Sequence, residues 1–292
     1  MISGFTIVRN AELLDYPFIE SIQSLQAFCD EIIISCGRGS DNTEGICLKL
    51  AESDPRIKVI FTDWTEENQQ GGAQLRAKTD HALSQCQGDW CFYLQADEVL
   101  HESDIPQFKD AIARASQIDR VDGIVFDYLH FYGDYRYTIE GRNWYRREIR
   151  AFKNHRGIKS FRDAQGFRKE NGDRLMAIPS GSRVFHYGYV RSQASLKTKS
   201  QEMSQWWGKQ SSQNDRDFQW IRHIGLKPFR LTHPKFMATR IESYPHRFDP
   251  KLAPRKWDRS ELKNLITLMW ESIVPYRIGE FRNYDLLKTE SP

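Results

Sequence analysis

The sequence predicts an α/β domain built on a mostly parallel, mixed sheet. Two patterns favour this class over the first 100 residues: short apolar runs alternate with stretches of helical periodicity, and polar clusters follow the runs. The 292 residues are 39% hydrophobic and 13% aromatic, which is enough to bury a sizeable core, so we exclude collagen, coiled coils and intrinsic disorder. No apolar run approaches the roughly 18 residues that span a bilayer.

The first hundred residues are predicted to form strands and helices in alternation. Short apolar runs bounded by turn residues predict strands at 4–8, 31–35, 57–61 and 90–94. Apolar residues at helical spacing predict helices at 17–28 and 43–53, and a further helix begins at Gly71–Gly72 and runs to about residue 85. Helices of this length between strands indicate parallel strand pairing.

Polar residues follow three of these strands directly. Asn10, Asp41 and Asp97 each lie a few residues beyond the end of an apolar run. Ligands of open α/β sheets bind beyond the carboxyl ends of the strands, so we expect these side chains at one edge of the sheet. Asp97 and Glu98 at a strand end could ligate a hard cation, and a plain helix N-cap is the alternative.

The pattern changes after about residue 120. Apolar runs predict further, partly antiparallel strands at 123–129, 146–152 and 182–187. Helical stretches follow at about 193–209 and 259–273, on either side of a proline-punctuated region from Pro228 to Pro254. We therefore predict a domain over residues 1–195 and a basic, mainly helical C-terminal extension over residues 196–292.

Positive charge is concentrated in this C-terminal part. Residues 191–259 hold 15 Lys and Arg against six Asp and Glu, whereas the whole chain has a net charge of +3. Such a segment suggests an anionic partner: phosphate groups, nucleic acid or a lipid surface. A helical region with a solvated basic face is the alternative, and the absence of a recognition motif argues against nucleic acid.

Five cysteines form no CxxC pair, and their odd number does not suit a disulfide framework. We expect buried thiols in a reducing cytosol. The N-terminal residues carry neither a basic region nor an apolar core typical of export, so we expect a cytoplasmic protein.

Four segments resemble the motifs of family 2 glycosyltransferases, in the family's order and spacing. Residues 88–98, GDWCFYLQADE, resemble its "GDW–apolar strand–DADE" segment, and residues 6–12 resemble its first strand with an "RNE" turn. Residues 30–43 are similar to its second strand and following loop, and residues 77–83 to its "ARN" helix. Residues 185–191, FHYGYVR, resemble the "HYG" segment of bacterial members that act on cell-surface polysaccharides.

The resemblance implies the GT-A fold, a Rossmann-like nucleotide-sugar-binding sheet. It also implies transfer of a sugar, with inversion, from a nucleotide-diphosphate donor to a hydroxyl of a glycan or lipid-linked acceptor. A divalent cation, Mn²⁺ or Mg²⁺, would neutralise the leaving diphosphate. The place of action would be the inner face of the membrane, in polysaccharide or lipopolysaccharide assembly, with peripheral membrane contact through the basic C-terminal part.

The resemblance also assigns residues to roles. Asp97 and His186 would bind the metal, and Asp163 would be the catalytic base, with Asp127 and Glu148 in reserve. Lys197 and Lys199 are further candidates for phosphate contact. The residues expected to contact the nucleotide-sugar are Val8, Arg9, Asn10, Asp41, Lys78, Gln95, Ala96, Asp97 and Arg191.

Three motif positions depart from the family's pattern. Gln95 replaces the first Asp of the metal motif, Cys36 replaces the acid after the second strand, and Lys78 begins the triplet that is usually "ARN". A non-catalytic GT-A-fold protein that binds nucleotide-sugars, or an assembly partner, is therefore the alternative function. Asn10 and Asp41 could be turn formers and His186 a satisfied core residue.

Overall fold

The computed structural model describes residues 1–64, 72–192, 194–199, 220–255, 257–274, 277 and 280–287. Its main sheet has eleven strands, and a separate hairpin forms a second, two-stranded sheet. The predicted strand at 57–61 and helix at 43–53 are confirmed, and most other predicted elements are found with bounds shifted by a few residues.

The first half of the fold alternates strands and helices. The strands are β1 (Ile2–Val8), β2 (Glu31–Gly37), β3 (Ile57–Thr62) and β4 (Trp90–Tyr93), and the helices are α1 (Phe18–Gln26), α2 (Thr43–Ser53) and α3 (Ala73–Leu83). These strands lie side by side in the order β4-β1-β2-β3, and every pair is parallel. The parallel arrangement inferred from the alternation is confirmed.

The second half adds strands of mixed direction. It comprises β5 (Glu98–Leu100), α4 (Ile105–Ser116), β6 (Gly123–Tyr132), β7 (Asp134–Ile139), β8 (Arg147–Lys153), the hairpin β9 (Ile158–Phe161) and β10 (Gly166–Lys169), and β11 (Leu175–Tyr189). Strand β8 runs antiparallel to both β4 and β6, so it joins the parallel half to the mixed half. The result is the GT-A-like mixed sheet that the sequence predicts.

Strand β11 is more than twice as long as predicted. The sequence Pro179-Ser180-Gly181-Ser182 resembles a turn, but the chain continues as a strand through it. Gly181 adopts φ +73°, and the register against β6 shifts between Pro179 and Arg183. A bulge with a left-handed glycine therefore uses turn-type residues without ending the strand.

The described C-terminal residues complete the same sheet. Residues 194–199 form α5, followed by β12 (Leu226–Pro228), α6 (Ala238–Ser243), α7 (Arg259–Ile273) and β13 (Tyr284–Leu286). Strand β12 pairs with β7, and β13 pairs with β11. The predicted helix at 259–273 is confirmed; most of the helix predicted at 193–209 lies outside the described residues. The domain limit at residue 195 stays a prediction.

Aromatic clusters fill the core on both faces of the sheet. Phe28, Phe92, Phe108 and Phe126 pack on the side of α1 and α4, with ring centroids 4.6–5.9 Å apart. Phe5, Tyr93, Phe152 and Phe167 pack on the other face, which α3 and the β9–β10 hairpin cover. All five cysteines are buried and unpaired, as expected of small apolar side chains. Within the described part of the chain, no helix has the length and apolarity to cross a membrane.

Candidate functional site

A cavity of about 370 Å³ opens at the carboxyl ends of β1 and β4. This is the edge at which open α/β sheets bind ligands. Four of the residues expected to contact the nucleotide-sugar do not line the cavity: Asn10, Asp41, Lys78 and Arg191. Eight residues predicted from the sequence line it: Val8, Arg9, Gln95, Ala96, Asp97, Asp163, His186 and Lys199.

Asn10 and Asp41 hold two neighbouring loops together. Asn10 Oδ1 accepts a hydrogen bond from Ser40 N at 2.8 Å. The Asp41 carboxylate accepts hydrogen bonds from Leu13 N at 2.8 Å and Thr43 N at 3.0 Å. These bonds join the loop after β1 to the loop after β2. The turn-forming alternative therefore describes the geometry of both residues.

Asp97 lies buried between two cationic side chains. Its Oδ2 is 3.1 Å from Arg191 Nη2 and 3.4 Å from Lys199 Nζ. Burial raises the pKa of Asp97, but the neighbouring charges, led by Lys199, outweigh burial and hold that pKa well below its usual range. Arg191 is itself fully buried; its Nη1 donates to Leu14 O and its guanidinium stacks on Tyr16. Arg191 therefore holds Asp97 from outside the cavity, whereas Lys199 lines the cavity.

His186 is oriented by a second histidine, His130. His130 Nε2 lies 2.7 Å from the carbonyl oxygen of Tyr145, which can only accept, so this nitrogen carries the proton. Burial lowers the pKa of His130 to about 3, so its ring is neutral and Nδ1 accepts from His186 Nδ1–H at 2.9 Å. Burial likewise lowers the pKa of His186 to about 4. His186 Nε2 therefore presents a lone pair, 3.7 Å from Asp97 Oδ1.

Asp97 and His186 are suited to bind a divalent cation that is also coordinated by a phosphate group of the substrate. Two unprotonated acceptors, Asp97 Oδ1 and His186 Nε2, face each other with no hydrogen between them. Gly188 keeps the space open, since a Cβ there would lie 2.7 Å from His186 Nε2 and 3.1 Å from Asp97 Oδ2. Among the described residues no group of three or more His, Cys, Asp or Glu forms a cation site. The remaining ligands would have to come from substrate and water, as is usual for Mg²⁺.

The turn that carries Asp97 is held by a buried ion pair. Glu98 and Arg150 are both fully buried, with Oε1 2.7 Å from Nη2. Glu98 Oε2 also accepts the backbone N–H of Gln95 at 3.0 Å, which closes the turn after β4. The sequence suggested Glu98, together with Asp97, as a cation ligand, but the structure pairs Glu98 with Arg150, which no sequence motif identified. The available signal was the position of Arg150 within the otherwise apolar run 149–152 of β8, because a buried charge needs a partner.

Asp163 lies in the strained turn of the β9–β10 hairpin. Its neighbours Arg162 and Ala164 have φ of +56° and +64°, a region that residues other than glycine rarely adopt. Gln95 Nε2 donates to the carbonyl oxygen of Ala164 at 3.3 Å, which ties this turn to the Asp97 turn. Burial raises the pKa of Asp163. At Gly72, the start of α3, a Cβ would lie 2.6 Å from Asp163 Cβ, so the turn and α3 are in close contact.

The reserve carboxylates are outside the cavity lining. Glu148 is buried, accepts from Gln165 Nε2 at 3.1 Å, and has a pKa raised by burial to about 7. Asp127 is half-exposed and pairs with Arg147. Of the three carboxylates considered for the base, Asp163 alone lines the cavity.

Aromatic side chains form part of the cavity wall. Trp144, Tyr145 and Tyr189 line the cavity, and the rings of Trp144 and Tyr189 meet edge to face at 4.9 Å. The motifs that resemble the family do not include Trp144, Tyr145 or His130. A second cavity of about 560 Å³ shares Trp144, Tyr145 and His130 with the first, so these residues separate the two.

The family model "Glycosyl transferase family 2" matches residues 6–171, more than half of the chain. No curated protein matches. Similar solved structures include S. aureus TarS (12% identity, TM-score 0.38, 70% of this chain and 39% of that chain). TarS 1–349 is similar in complexes with UDP (18%, 0.33, 46% and 37%) and with UDP-GlcNAc (17%, 0.32, 46% and 36%).

The chain covers less than two-fifths of the length of each of these TarS structures. The family match spans β1 to the end of the β9–β10 hairpin and so includes the residues that line the cavity from the loops after β1 and β4 and from the Asp163 turn. The chain belongs to glycosyltransferase family 2.

Proposed function

We propose that this protein transfers a sugar from a nucleotide-diphosphate donor to a hydroxyl of a glycan or lipid-linked acceptor. Family membership supports the reaction class. The observation that carries the proposal is the cavity at the ends of β1 and β4, in which Asp97, His186 and Lys199 lie together with Asp163. Buried titratable groups with charged partners in a cleft are typical of functional sites.

The donor is proposed to bind along β1 and β4. Arg9 is held over the Trp64 ring at 5.6 Å, and its Nε donates to the carbonyl oxygen of Arg38 at 3.0 Å, so this side of the cavity offers a flat, cationic surface for a nucleotide. Lys199 Nζ reaches the cavity and would pair with the diphosphate. A divalent cation held by Asp97 and His186 would add charge neutralisation to the leaving group. The metal requirement itself stays a prediction.

Asp163 is proposed as the general base. Its carboxylate would take the proton of the acceptor hydroxyl as the oxygen bonds to the anomeric carbon, while the bond from that carbon to the diphosphate breaks on the opposite side. Inversion follows from this arrangement. Burial raises the pKa of Asp163, which makes its carboxylate a better proton acceptor than an exposed one. Trp144 and Tyr189 provide an aromatic surface on which an acceptor sugar ring could stack.

The acceptor is proposed to be a growing polysaccharide or lipopolysaccharide precursor at the cytosolic face of the membrane. The HYG-like segment supports this, because it resembles that of bacterial members that act on cell-surface polysaccharides. Its residues His186, Gly188 and Arg191 surround Asp97. The non-catalytic alternative draws on Gln95 and Cys36. Gln95 nevertheless lines the cavity and links the two turns, which favours a working site.

Calorimetric titration with UDP, GDP, CMP and their sugar conjugates, with and without Mn²⁺, tests the proposal. We expect Mn²⁺-dependent binding of one diphosphate nucleotide that Asp97→Asn weakens by about tenfold or more. Asp163→Asn should keep donor binding and lower transfer by about 100-fold or more. Asp119→Asn, at an exposed carboxylate that pairs with Arg156 and lines neither cavity, is the matched control and should change neither. Binding without any transfer or donor hydrolysis would favour the non-catalytic alternative.

A further inference from the structure

Helix α7 packs its polar side against the rest of the molecule. Glu261 and Asn264 are each 4% exposed. Glu261 accepts from Ile224 N at 2.8 Å and lies 2.7 Å from His223 Nδ1. Asn264 Oδ1 accepts from Arg142 N at 2.6 Å, and its amide nitrogen donates to the carbonyl oxygen of Ile224. Buried polar side chains therefore hydrogen-bond this helix to the rest of the molecule, beside the partly buried Leu265 and Leu268.

The apolar side of α7 faces outward. Leu262, Ile266, Met269 and Ile273 are 52%, 60%, 62% and 81% exposed, and Trp270 beside them is 44% exposed. Their spacing of four, three and four residues places them on one face of the helix. A surface helix normally turns its apolar stripe to the core and its polar residues to water. An inverted helix with a contiguous exposed stripe marks an interaction surface.

Cationic residues border this stripe. Arg259 and Lys263 are exposed on α7 beside it, and Arg255 lies over the ring of Trp257, which is 61% exposed. The acidic Asp258 is engaged as the helix cap, since its Oδ1 accepts from the N–H groups of Ser260 and Glu261. An apolar stripe with tryptophan and a cationic border is the composition of helices that lie in the interface of an anionic bilayer.

We propose that α7, together with the segment from Leu252 to Arg259, docks on the surface of an anionic lipid bilayer. A lipid surface is favoured over a second copy of the chain on grounds of size. One side of a 15-residue helix, about 22 Å long and 10 Å wide, covers about 220 Å². A stable dimer needs a larger area, since it buries about 800 Å² on each partner. Positive charge on the border also suits anionic headgroups.

The docking surface uses only the C-terminal end of the basic segment 191–259, with Arg255 and Arg259. Lys227 pairs with Glu140, and Arg240 is engaged by Asp15 and Glu20. Several cations of the basic segment therefore balance acids within the fold.

Docking through α7 would bring the side of the protein on which the acceptor is proposed to bind toward the bilayer. This inference rests on the proposed function. Leu268, Glu271 and Ser272 of α7 line the second cavity. That cavity shares the wall of Trp144 and Tyr145 with the first. A lipid-linked acceptor in the bilayer would then lie on the far side of α7, within about one helix diameter of the second cavity.

Flotation of the full chain with lipid vesicles tests the docking. We expect binding to vesicles of phosphatidylglycerol and phosphatidylethanolamine that exceeds binding to pure phosphatidylcholine by about tenfold or more. The double variant Ile266→Glu/Ile273→Glu should lower binding to the anionic vesicles by about tenfold, and Lys263→Glu should lower it less and weaken its salt dependence. Leu48→Glu, at an exposed leucine on α2, is the matched control and should bind like the wild type.

Two results would overturn the docking proposal. One is equal binding of the double variant and the wild type, or no binding of either. The other is a wild-type dimer in light scattering that the double variant converts to monomer without any vesicle binding, which would assign the stripe to self-association. Nucleotide titrations of the same variants separate this proposal from the proposed function, because loss of vesicle binding with intact nucleotide binding concerns α7 alone.

Discussion

His130 illustrates how a single residue outside the motifs can set the chemistry of one within them. It donates to the Tyr145 carbonyl and accepts from His186, so that the lone pair of His186 Nε2 is directed toward Asp97. Partners of this kind orient metal-binding histidines and fix their tautomer. His130 is therefore a positioning residue, acting through His186.

Replacement of His130 tests this assignment. His130→Phe removes the acceptor for His186 Nδ1–H, and we expect Mn²⁺ affinity to fall by about 10- to 100-fold. His130→Asn keeps an oxygen near the position of Nδ1 and should restore most of the affinity. Nitrogen-15 chemical shifts of the His186 ring should report a protonated Nδ1 in the wild type and the Asn variant only. Equal affinity and equal shifts in both variants would contradict the positioning role.

At the scale of elements, the site depends on the contact between two turns and the start of a helix. The Asp163 turn of the β9–β10 hairpin is linked to the Asp97 turn by Gln95 and lies against Gly72 at the start of α3. Gly72 has φ +76°, which other residues adopt only with strain. The position of Asp163 thus relies on a glycine about 90 residues away in sequence.

Two glycine substitutions separate backbone strain from displacement of Asp163. Gly72→Ala and Gly157→Ala both force alanine into a left-handed conformation, and each should lower the free energy of unfolding by about 1–2 kcal/mol. Only at Gly72 would the new Cβ meet Asp163, since nothing lies within 4 Å of a Cβ at Gly157. We therefore expect Gly72→Ala alone to lower kcat, measured in the transfer assay. A similar loss of kcat in Gly157→Ala would contradict this view of the turn.

At the scale of the whole molecule, buried titratable groups link stability to pH. Burial lowers the pKa of His130 to about 3 and those of His186 and His233 to about 4, from 6.5. The folded chain then binds fewer protons than the unfolded chain, so stability falls as pH drops from about 6.5 to about 4. Burial raises the pKa of Glu148 from 4.5 to about 7, so the folded chain binds more protons than the unfolded chain between these values. The contribution of Glu148 to stability therefore falls as pH rises from about 4.5 to about 7.

Burial also raises the pKa values of Asp80 and Asp163, but from a starting value of 3.8, so the three histidines and Glu148 dominate between pH 7 and pH 5. Because the histidines outnumber Glu148, we expect a net loss of stability between these pH values. Chemical denaturation at the two pH values measures it. His233→Gln should reduce the difference by about 2 kcal/mol, since the glutamine does not titrate. The exposed His81→Gln is the control and should leave the difference unchanged. A difference that His233→Gln leaves intact would show that other groups dominate the pH dependence.

The sequence alone determined the parallel half of the sheet, the family resemblance and much of the cavity lining. These features are local: apolar runs and helical periodicity define β1 to β4 and α1 to α3, and Asp97 follows its strand directly. The placement of Asp163 and His186 in the cavity rested on the family resemblance, because neither is near Asp97 in sequence. Strand β11 was underestimated because turn-type residues can also form a bulge.

Tertiary structure decided which side chains partner Asp97 and which way α7 faces. Arg191, Lys199 and the His130–His186 pair meet Asp97 only because β11, β6 and α5 converge on the end of β4, and no sequence spacing encodes that contact. Periodicity located α7 but could not orient it. An amphipathic pattern indicates two faces, and only the hydrogen bonds of Glu261 and Asn264 determine that the polar face packs inward.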